Sequence, residues 1–359
     1  MRILVITNLY PGSRQPAFGT FIAAHVAALR RAGAEPAVVA IRDVPVHRAV
    51  ARKYLWLTIR SVVLALRARM RHQRPHVVEA HVAYPTGLIA LLAACVAGAP
   101  LVIYCHGTDV TGRTAASRLH GAVFGWLLAR AALVVANSQF LRGVIATRYP
   151  LLPAERLIVI PPGVDLSLFV PSAGPRRPNE VLFVGRLSRQ KGVLELLEAV
   201  GHLGTGNISI RFIGDGPMRT ALEREAAAAG VRAIFEGPQP PDMVARTMGR
   251  ASVVAMPSTY PEGLGLVTIE AMASGALVVA TAAGGIVESV IDGETGWLVP
   301  PGDVPALVGA LQEALSIAGA PEAERREALQ ERAMAKAREY DIDAVARRTL
   351  DAYASLLRP

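Results

Sequence analysis

The chain has 359 residues, 52% of them hydrophobic and 19% charged, which is long enough for two domains with ordinary cores and excludes a disordered protein. Its two cysteines, Cys95 and Cys105, have no metal-ligand spacing and point to a reducing compartment rather than a disulfide framework. The net charge of +9 is uneven: residues 1–160 carry 19 Lys+Arg against 5 Asp+Glu, and the remainder 19 against 24, so the first half calls for an acidic partner or surface. Aromatics are only 5%, with no recognition-helix, zinc-finger or ribonucleoprotein pattern, which sets nucleic acid aside and favours anionic lipid.

The opening MRILVITNLYPG stops being apolar at Asn8 and turns at Pro11-Gly12 without a small-residue cleavage pattern, so it reads as a first strand and not a signal peptide. Next, YPGSRQPAFGTFI places Gly12 and Gly19 around a loop that opens onto a helix near Thr20, where backbone can approach a phosphate or an acceptor. Residues 47–74 hold Arg48, Arg52, Lys53, Arg60, Arg67, Arg69, Arg71 and Arg74 with no acidic residue. At helical spacing Leu55, Ile59, Val62, Val63 and Leu66 share a face, which suits either a core-packing helix with a basic edge or a helix lying on an anionic membrane, with Tyr54 and Trp56 at its interface. Val82 to Cys105 is 24 residues without Asp, Glu, Lys or Arg. Gly98 and Pro100 divide it into a buried helix over about 87–97 and the strand LVIYC, not a membrane span.

Six strand-like runs, RILVIT, PAVVAI, HVVEAH, LVIYC, LVVANS and LIVIP, alternate with helical stretches through the first half. After LVIYC comes HGTD, where His106 closes a strand with Asp109 three residues on. A Pro- and Gly-rich segment over 162–178 follows, and the pattern restarts with EVLFVG, ISIRFIG, AIFEG, SVVAMP, ALVVAT and GWLVP. Near-continuous apolar strands alternating with helices predict parallel sheets covered on both faces. The fold expected is therefore α/β, two doubly wound Rossmann-like lobes facing across a cleft, with ligands beyond the carboxyl ends of the strands. Residues 1–165 are expected to form an acceptor-side lobe and 175–340 a donor lobe, with 341–359 a helix packing back toward the first lobe. Asp341 and Asp343, the chain's only Asp-x-Asp, read as capping for that helix.

The second half carries the chemistry. FVGRLSRQKGV puts Arg186 and Lys191 between a strand and a helix, a planar fork and a point charge suited to a diphosphate, although two solvated surface cations would look the same. FIGDGPM is a Gly-Asp-Gly turn and weak alone. PEGLGLVTIEAMASG places Glu262 before Gly263 and Gly265, and Glu270 within an apolar helical run. A buried carboxylate needs donors, and a ligand can supply them, whereas a plain loop with Glu270 on a helix edge needs none.

Taken in order, the glycine loop at Gly12, HGTD, Asn137-Ser138, PPGVD, GRLSRQKG, GDGP, EGLGLVTIEAMASG and TGWLVPPGD resemble family 4 of the retaining glycosyltransferases, which share the two-lobed GT-B fold. The resemblance covers essentially the whole chain. It implies transfer of a sugar from a UDP- or GDP-sugar to a hydroxyl acceptor with retention and without metal or other cofactor, the diphosphate oxygen helping to remove the acceptor proton. It further implies that Glu270 binds ribose hydroxyls, that Glu262 and the amides of Gly263, Leu264, Gly265 and Leu266 hold the transferred sugar, and that Arg186 and Lys191 neutralise the departing diphosphate. Gly12 and Gly185 fall on the donor side, His106 near the sugar, and Gly19 and Asp109 on the acceptor side. Leu264 stands where the family often has Phe, which should alter pocket packing.

A dinucleotide oxidoreductase is excluded, because no Gly-x-Gly-x-x-Gly follows the first strand. A diphosphate clamp argues against glycoside hydrolysis. A nucleotide-sugar epimerase on the same fold, a soluble acceptor, or a silent nucleotide-sugar binder remain as other readings. The basic segment points to a cytoplasmic enzyme docked on the inner membrane face, with a lipid-linked or cell-envelope acceptor.

Overall fold

Apolar runs such as VVEAH and LVIYC bury every side chain, so they require helices on both faces. In the computed structural model, which describes residues 1–13, 15–42, 50–112, 118–204, 208–319 and 322–358, they form two six-stranded sheets with every pair parallel. The chain divides into two units, Met1–Gly163 with Ile342–Pro359, and Val164–Asp341.

The first unit has β1 (Arg2–Tyr10), β2 (Glu35–Arg42), β3 (Val77–His81), β4 (Leu101–Cys105), β5 (Leu133–Ala136) and β6 (Leu157–Val159), in the order β2-β1-β3-β4-β5-β6. Its helices are α1 (Thr20–Arg31), α2 (Val50–Met70), α3 (Thr86–Ala97), α4 (Thr108–Thr111), α5 (Arg118–Leu128) and α6 (Gln139–Arg148). The uncharged stretch Val82–Cys105 is thus the twelve-residue α3, stopped by left-handed Gly98 at φ 65°, followed by β4. No helix among the described residues is long and apolar enough to cross a membrane.

The second unit has β7 (Arg177–Val184), β8 (Ser209–Ile213), β9 (Arg232–Gly237), β10 (Ala251–Met256), β11 (Leu277–Thr281) and β12 (Trp297–Val299), ordered β12-β11-β10-β7-β8-β9. Its helices are α7 (Val193–His202), α8 (Arg219–Ala228), α9 (Pro241–Arg250), α10 (Leu266–Ala273), α11 (Ile286–Ser289), α12 (Val304–Ala318) and α13 (Ala323–Arg338). The chain then returns to the first unit as α14 (Ile342–Leu356), which packs on α1 and buries Tyr353 completely. Asp343 is not simply a cap there: it forms a 2.7 Å ion pair with Arg31 of α1.

Strand order reverses beside the first strand of each sheet, between β1 and β3 and between β7 and β10. Such switch points leave a crevice beyond the strand ends because the flanking connections leave to opposite faces. The glycine loop after β1 and the loops carrying GRLSRQKG after β7 and EGLGLVTIEAMASG after β10 open at these switch points, with HGTD and GDGP one strand away.

The two readings of α2 differ in which side chains it buries. Its buried stripe is Leu57, Ser61 and Ala65 and it packs on α3, while Leu55 (60% exposed), Ile59, Val63 and Leu66 point to solvent and Val62 is half-buried. Core packing therefore does not account for that apolar face. Arg48, the first cation of the stretch, lies outside the described residues.

Candidate active site

At the β7/β10 switch point the glycines explain themselves by close approach. A side chain on Gly192, at φ 66°, would meet the Pro257 carbonyl oxygen at 1.8 Å, so only glycine lets the start of α7 press onto the segment leaving β10. That contact brings Lys191 to Glu262, whose Oε1 accepts hydrogen bonds from Lys191 Nζ and from Ser258 Oγ, each at 2.7 Å. Both ends of the pair stay partly open to solvent. The Glu262 backbone is fixed too, donating to the Ala283 carbonyl and accepting from the Gly285 amide. Gly214 and Gly216 of the GDGP turn approach the Gly185 and Leu187 carbonyls so closely that a side chain would stand 2.0 and 2.3 Å from them. The turn therefore buttresses the Gly185 loop, with the Leu187 amide donating to the Asp215 carbonyl. Arg186, next in line, is exposed.

Beyond Glu262 the chain turns through Gly265, at φ 81°, into α10. Among the described residues the amides of Gly263, Leu264, Gly265 and Leu266 donate no hydrogen bond to the protein. Unsatisfied amides at a helix N-terminus, with the helix dipole behind them, favour an anion or a polar ligand. The Leu264 side chain is 3% exposed and belongs to the core, so its size tunes packing beneath the loop rather than the pocket itself. Glu270, half-buried on α10, has no donor among the described residues, and burial pushes its carboxyl up to about 8.

In the first unit, Gly19, at φ 67°, sits where a side chain would strike the Leu9 backbone at 2.5 Å, which lets α1 start against the end of β1; the Gly12 amide donates to the Gln15 carbonyl within the same loop. Asp109 corrects its expected role. Its Oδ1 accepts from the His106 and Gly107 amides and its Oδ2 from the Ala83 amide, at 2.9 to 3.2 Å, so it shapes the loop that carries His106 and has little capacity left for an acceptor. His106 is held at a second point, where Asn137 Nδ2 donates to its carbonyl at 3.0 Å. Its Nε2 lies 3.0 Å from His81 Nδ1, and Phe21 meets the ring edge-on. Burial, then the neighbouring His81 and His25, hold it well below the usual histidine range, so it is neutral.

Behind His106 stands a network that sequence reading missed. Glu79 Oε1 accepts from Tyr353 Oη at 2.7 Å, and Oε2 faces His81 Nε2 at 3.2 Å and His25 Nε2 at 3.4 Å. Burial alone would raise the Glu79 carboxyl, but His25 and His81 hold it well below the carboxylate range. The signal was Glu-x-His within a strand, which sets both side chains on one face. Among the described residues, His25, Glu79 and His81 are also the one group whose ligand atoms lie within 4.8 Å of one another: His81 Nε2 hydrogen-bonds Glu79 Oε2, and His25 Nε2 stands 3.4 Å from the same oxygen without a hydrogen bond.

Comparison with known proteins identifies the family of the chain. Residues 168–336 match the model of the glycosyl transferases group 1, and residues 20–168 that of glycosyltransferase family 4. The alpha-maltose-1-phosphate synthase of Mycolicibacterium smegmatis is 32% identical over 270 residues, covering 67% of this chain and 68% of that one. TuaC of Bacillus subtilis, a glycosyltransferase named for teichuronic acid biosynthesis, is 28% identical over 87% of this chain and 88% of its own. The structure of Anabaena Alr3699/HepE in complex with UDP-glucose superposes with a TM-score of 0.80 at 23% identity, covering 99% of this chain and all of that one, and shows the shared fold. The chain belongs to the family 4 glycosyltransferases of GT-B fold, enzymes that use a nucleotide-sugar donor.

Proposed function

We propose that the protein transfers a hexose, with retention and without a metal, from a nucleotide-diphosphate sugar to a hydroxyl on a membrane-borne acceptor in cell-envelope polysaccharide synthesis. The carrying observation is the Lys191–Glu262 pair set before the open amides of Gly263–Leu266. In the free protein Lys191 is neutralised by Glu262. A diphosphate competes for Lys191, and Glu262 is then released to accept from sugar hydroxyls. As the glycosyl–phosphate bond breaks, negative charge grows on the leaving phosphate, and Lys191 and Arg186 stabilise it without reorganisation. Glu262 orients the sugar and is not a nucleophile; the leaving oxygen takes the acceptor proton on the same face. Glu270 receives the ribose hydroxyls, and His106 is assigned to the sugar.

Family membership supports the donor class, and the UDP-glucose bound by HepE puts UDP-sugars first for test. TuaC, by its name, supports an envelope acceptor. Docking on a cytoplasmic anionic leaflet rests on α2, where Trp56 is 47%, Ile59 53% and Met70 72% exposed among the basic side chains. Heat protection of the protein by a panel of UDP- and GDP-sugars tests the donor. A stabilisation by one base only names it, and none by any member refutes the assignment.

A further inference from the structure

His106 is neutral and two-faced, so what it offers a ligand depends on which nitrogen carries its proton. That choice is made elsewhere. Glu79, buried and ionised, can only accept, so the His81 nitrogen facing it, Nε2 at 3.2 Å, carries a proton. A neutral His81 then has a bare Nδ1, and burial holds His81 below its ordinary range. That Nδ1 lies 3.0 Å from His106 Nε2, which must therefore be the donor. The proton of His106 is thus tied up on Nε2, and Nδ1 is left as a lone pair with no protein partner among the described residues.

A second acceptor waits beside it. Asn137 gives its Nδ2 to the His106 carbonyl, and its Oδ1, on a side chain of a residue only 7% exposed, has no hydrogen-bond partner. His106 and Asn137 line one cavity together with Phe21 and Ile160. An orphaned buried acceptor is costly unless a ligand or an ordered water serves it. Two acceptors at one wall fit a molecule that brings hydroxyl donors and no anion.

We propose that Glu79 and His81 are positioning residues that fix His106 as the Nε2–H tautomer, so that His106 Nδ1 and Asn137 Oδ1 form an acceptor pair for the hydroxyls of a sugar. The identification of that ligand as the sugar in transfer rests on the proposed glycosyltransfer; the tautomer chain does not. Tyr353 braces the far end through Glu79 Oε1, and His81 stacks on Tyr104 at 4.3 Å between ring centroids, so the relay has no free rotation in it.

Nitrogen-15 NMR of histidine-labelled full-length protein reads the tautomers directly. The Nε2–H form is expected for both His81 and His106, and an Nδ1–H signal at either overturns the proposal. Stoichiometric zinc or another divalent metal in the protein as purified, with His81 Nε2 as ligand, overturns it as well. His81→Phe keeps the ring on Tyr104 but frees His106 Nε2. It is expected to mix the His106 tautomers and to raise KM for the nucleotide sugar at least ten-fold, with heat protection by the free nucleoside diphosphate unchanged. Glu79→Gln is expected to act in the same direction. Unchanged tautomers and an unchanged KM in His81→Phe refute the positioning role. If the wild type turns over no nucleotide sugar, the functional reading fails while the tautomer measurement still decides the relay.

Discussion

Glu270 lets the donor site be tested by pH alone. Its carboxyl lies at about 8 because burial penalises the charged form, so near neutrality the free protein holds it mostly protonated. Nucleotide hydroxyls donate best to the ionised form, and binding must then expel a proton. With a folded pKa of about 8, the ionised fraction rises from roughly 3% at about pH 6.5 to roughly three quarters at about pH 8.5, which predicts about 25-fold tighter binding at the higher pH. The matching donor, an esterified diphosphate whose charge is constant across that window, is titrated by calorimetry at both values, and buffers of different ionisation heat count the proton released. Stability moves the other way. The folded pKa exceeds the unfolded one, so the folded state binds more protons, and stability is lost as pH climbs from about 4.5 to about 8. A rise of this size corresponds at most to about 5 kcal/mol, and partial exposure brings it to roughly 2 kcal/mol. Urea melts of Glu270→Gln should show that loss removed, the variant exceeding wild type above about pH 8 and matching it near pH 5. Donor affinity flat in pH, with parallel stability profiles for both proteins, would refute the buried-carboxylate reasoning.

Replacing Lys191, Arg186 or Glu262 by Ala should each lower kcat by on the order of 10²-fold with unchanged melting, since each group meets charge or geometry of the transition state; rates within a few-fold for all three sink the site. Activity should survive excess EDTA, and strict dependence on Mg²⁺ or Mn²⁺ contradicts the cationic clamp. Proton NMR of the first product from an α-linked donor should show an α-linkage, an inverted anomer being incompatible with acceptor attack on the face the diphosphate leaves. Flotation with anionic vesicles should carry the protein upward at low salt and release it at high salt, each basic side chain at the surface contributing roughly 1 kcal/mol. Replacing Arg67, Arg69, Arg71 and Arg74 by Gln with no change in flotation would remove the basic segment from that role.

The twelve strands were legible because buried parallel strands are the least ambiguous apolar runs a sequence contains, and the glycine motifs were legible because each follows one. What escaped was decided by helix phase and by shared donors. In α2 helical spacing put Leu55, Ile59, Val62, Val63 and Leu66 on one face and left open whether core or membrane met it, yet the stripe that is buried is Leu57, Ser61 and Ala65, leaving Leu55 and Ile59 outside. Asp109 looked like a carboxylate set beside a histidine for chemistry. Three backbone amides consume it, a cost no spacing rule records, since those donors belong to Ala83 as much as to the HGTD loop.

The two clusters, each taken within its own unit, solve one electrostatic problem in opposite ways. At the β7/β10 crevice Lys191 and Glu262 remain partly hydrated, so their pair is weak enough to be opened by a competing anion, which a fully buried pair with its unpaid desolvation would resist. At the first unit's crevice Glu79 is wholly buried and permanently partnered, so no substrate can reach it, and its charge is expressed only as a choice of proton position two rings away. The prediction that separates these designs is salt dependence. Donor binding should weaken as ionic strength rises, because salt screens the partly exposed cations from the diphosphate, whereas the His106 tautomer should be the same at low and high salt. A tautomer population that shifts with salt would mean Glu79 is screened by solvent and the network behind His106 is not closed.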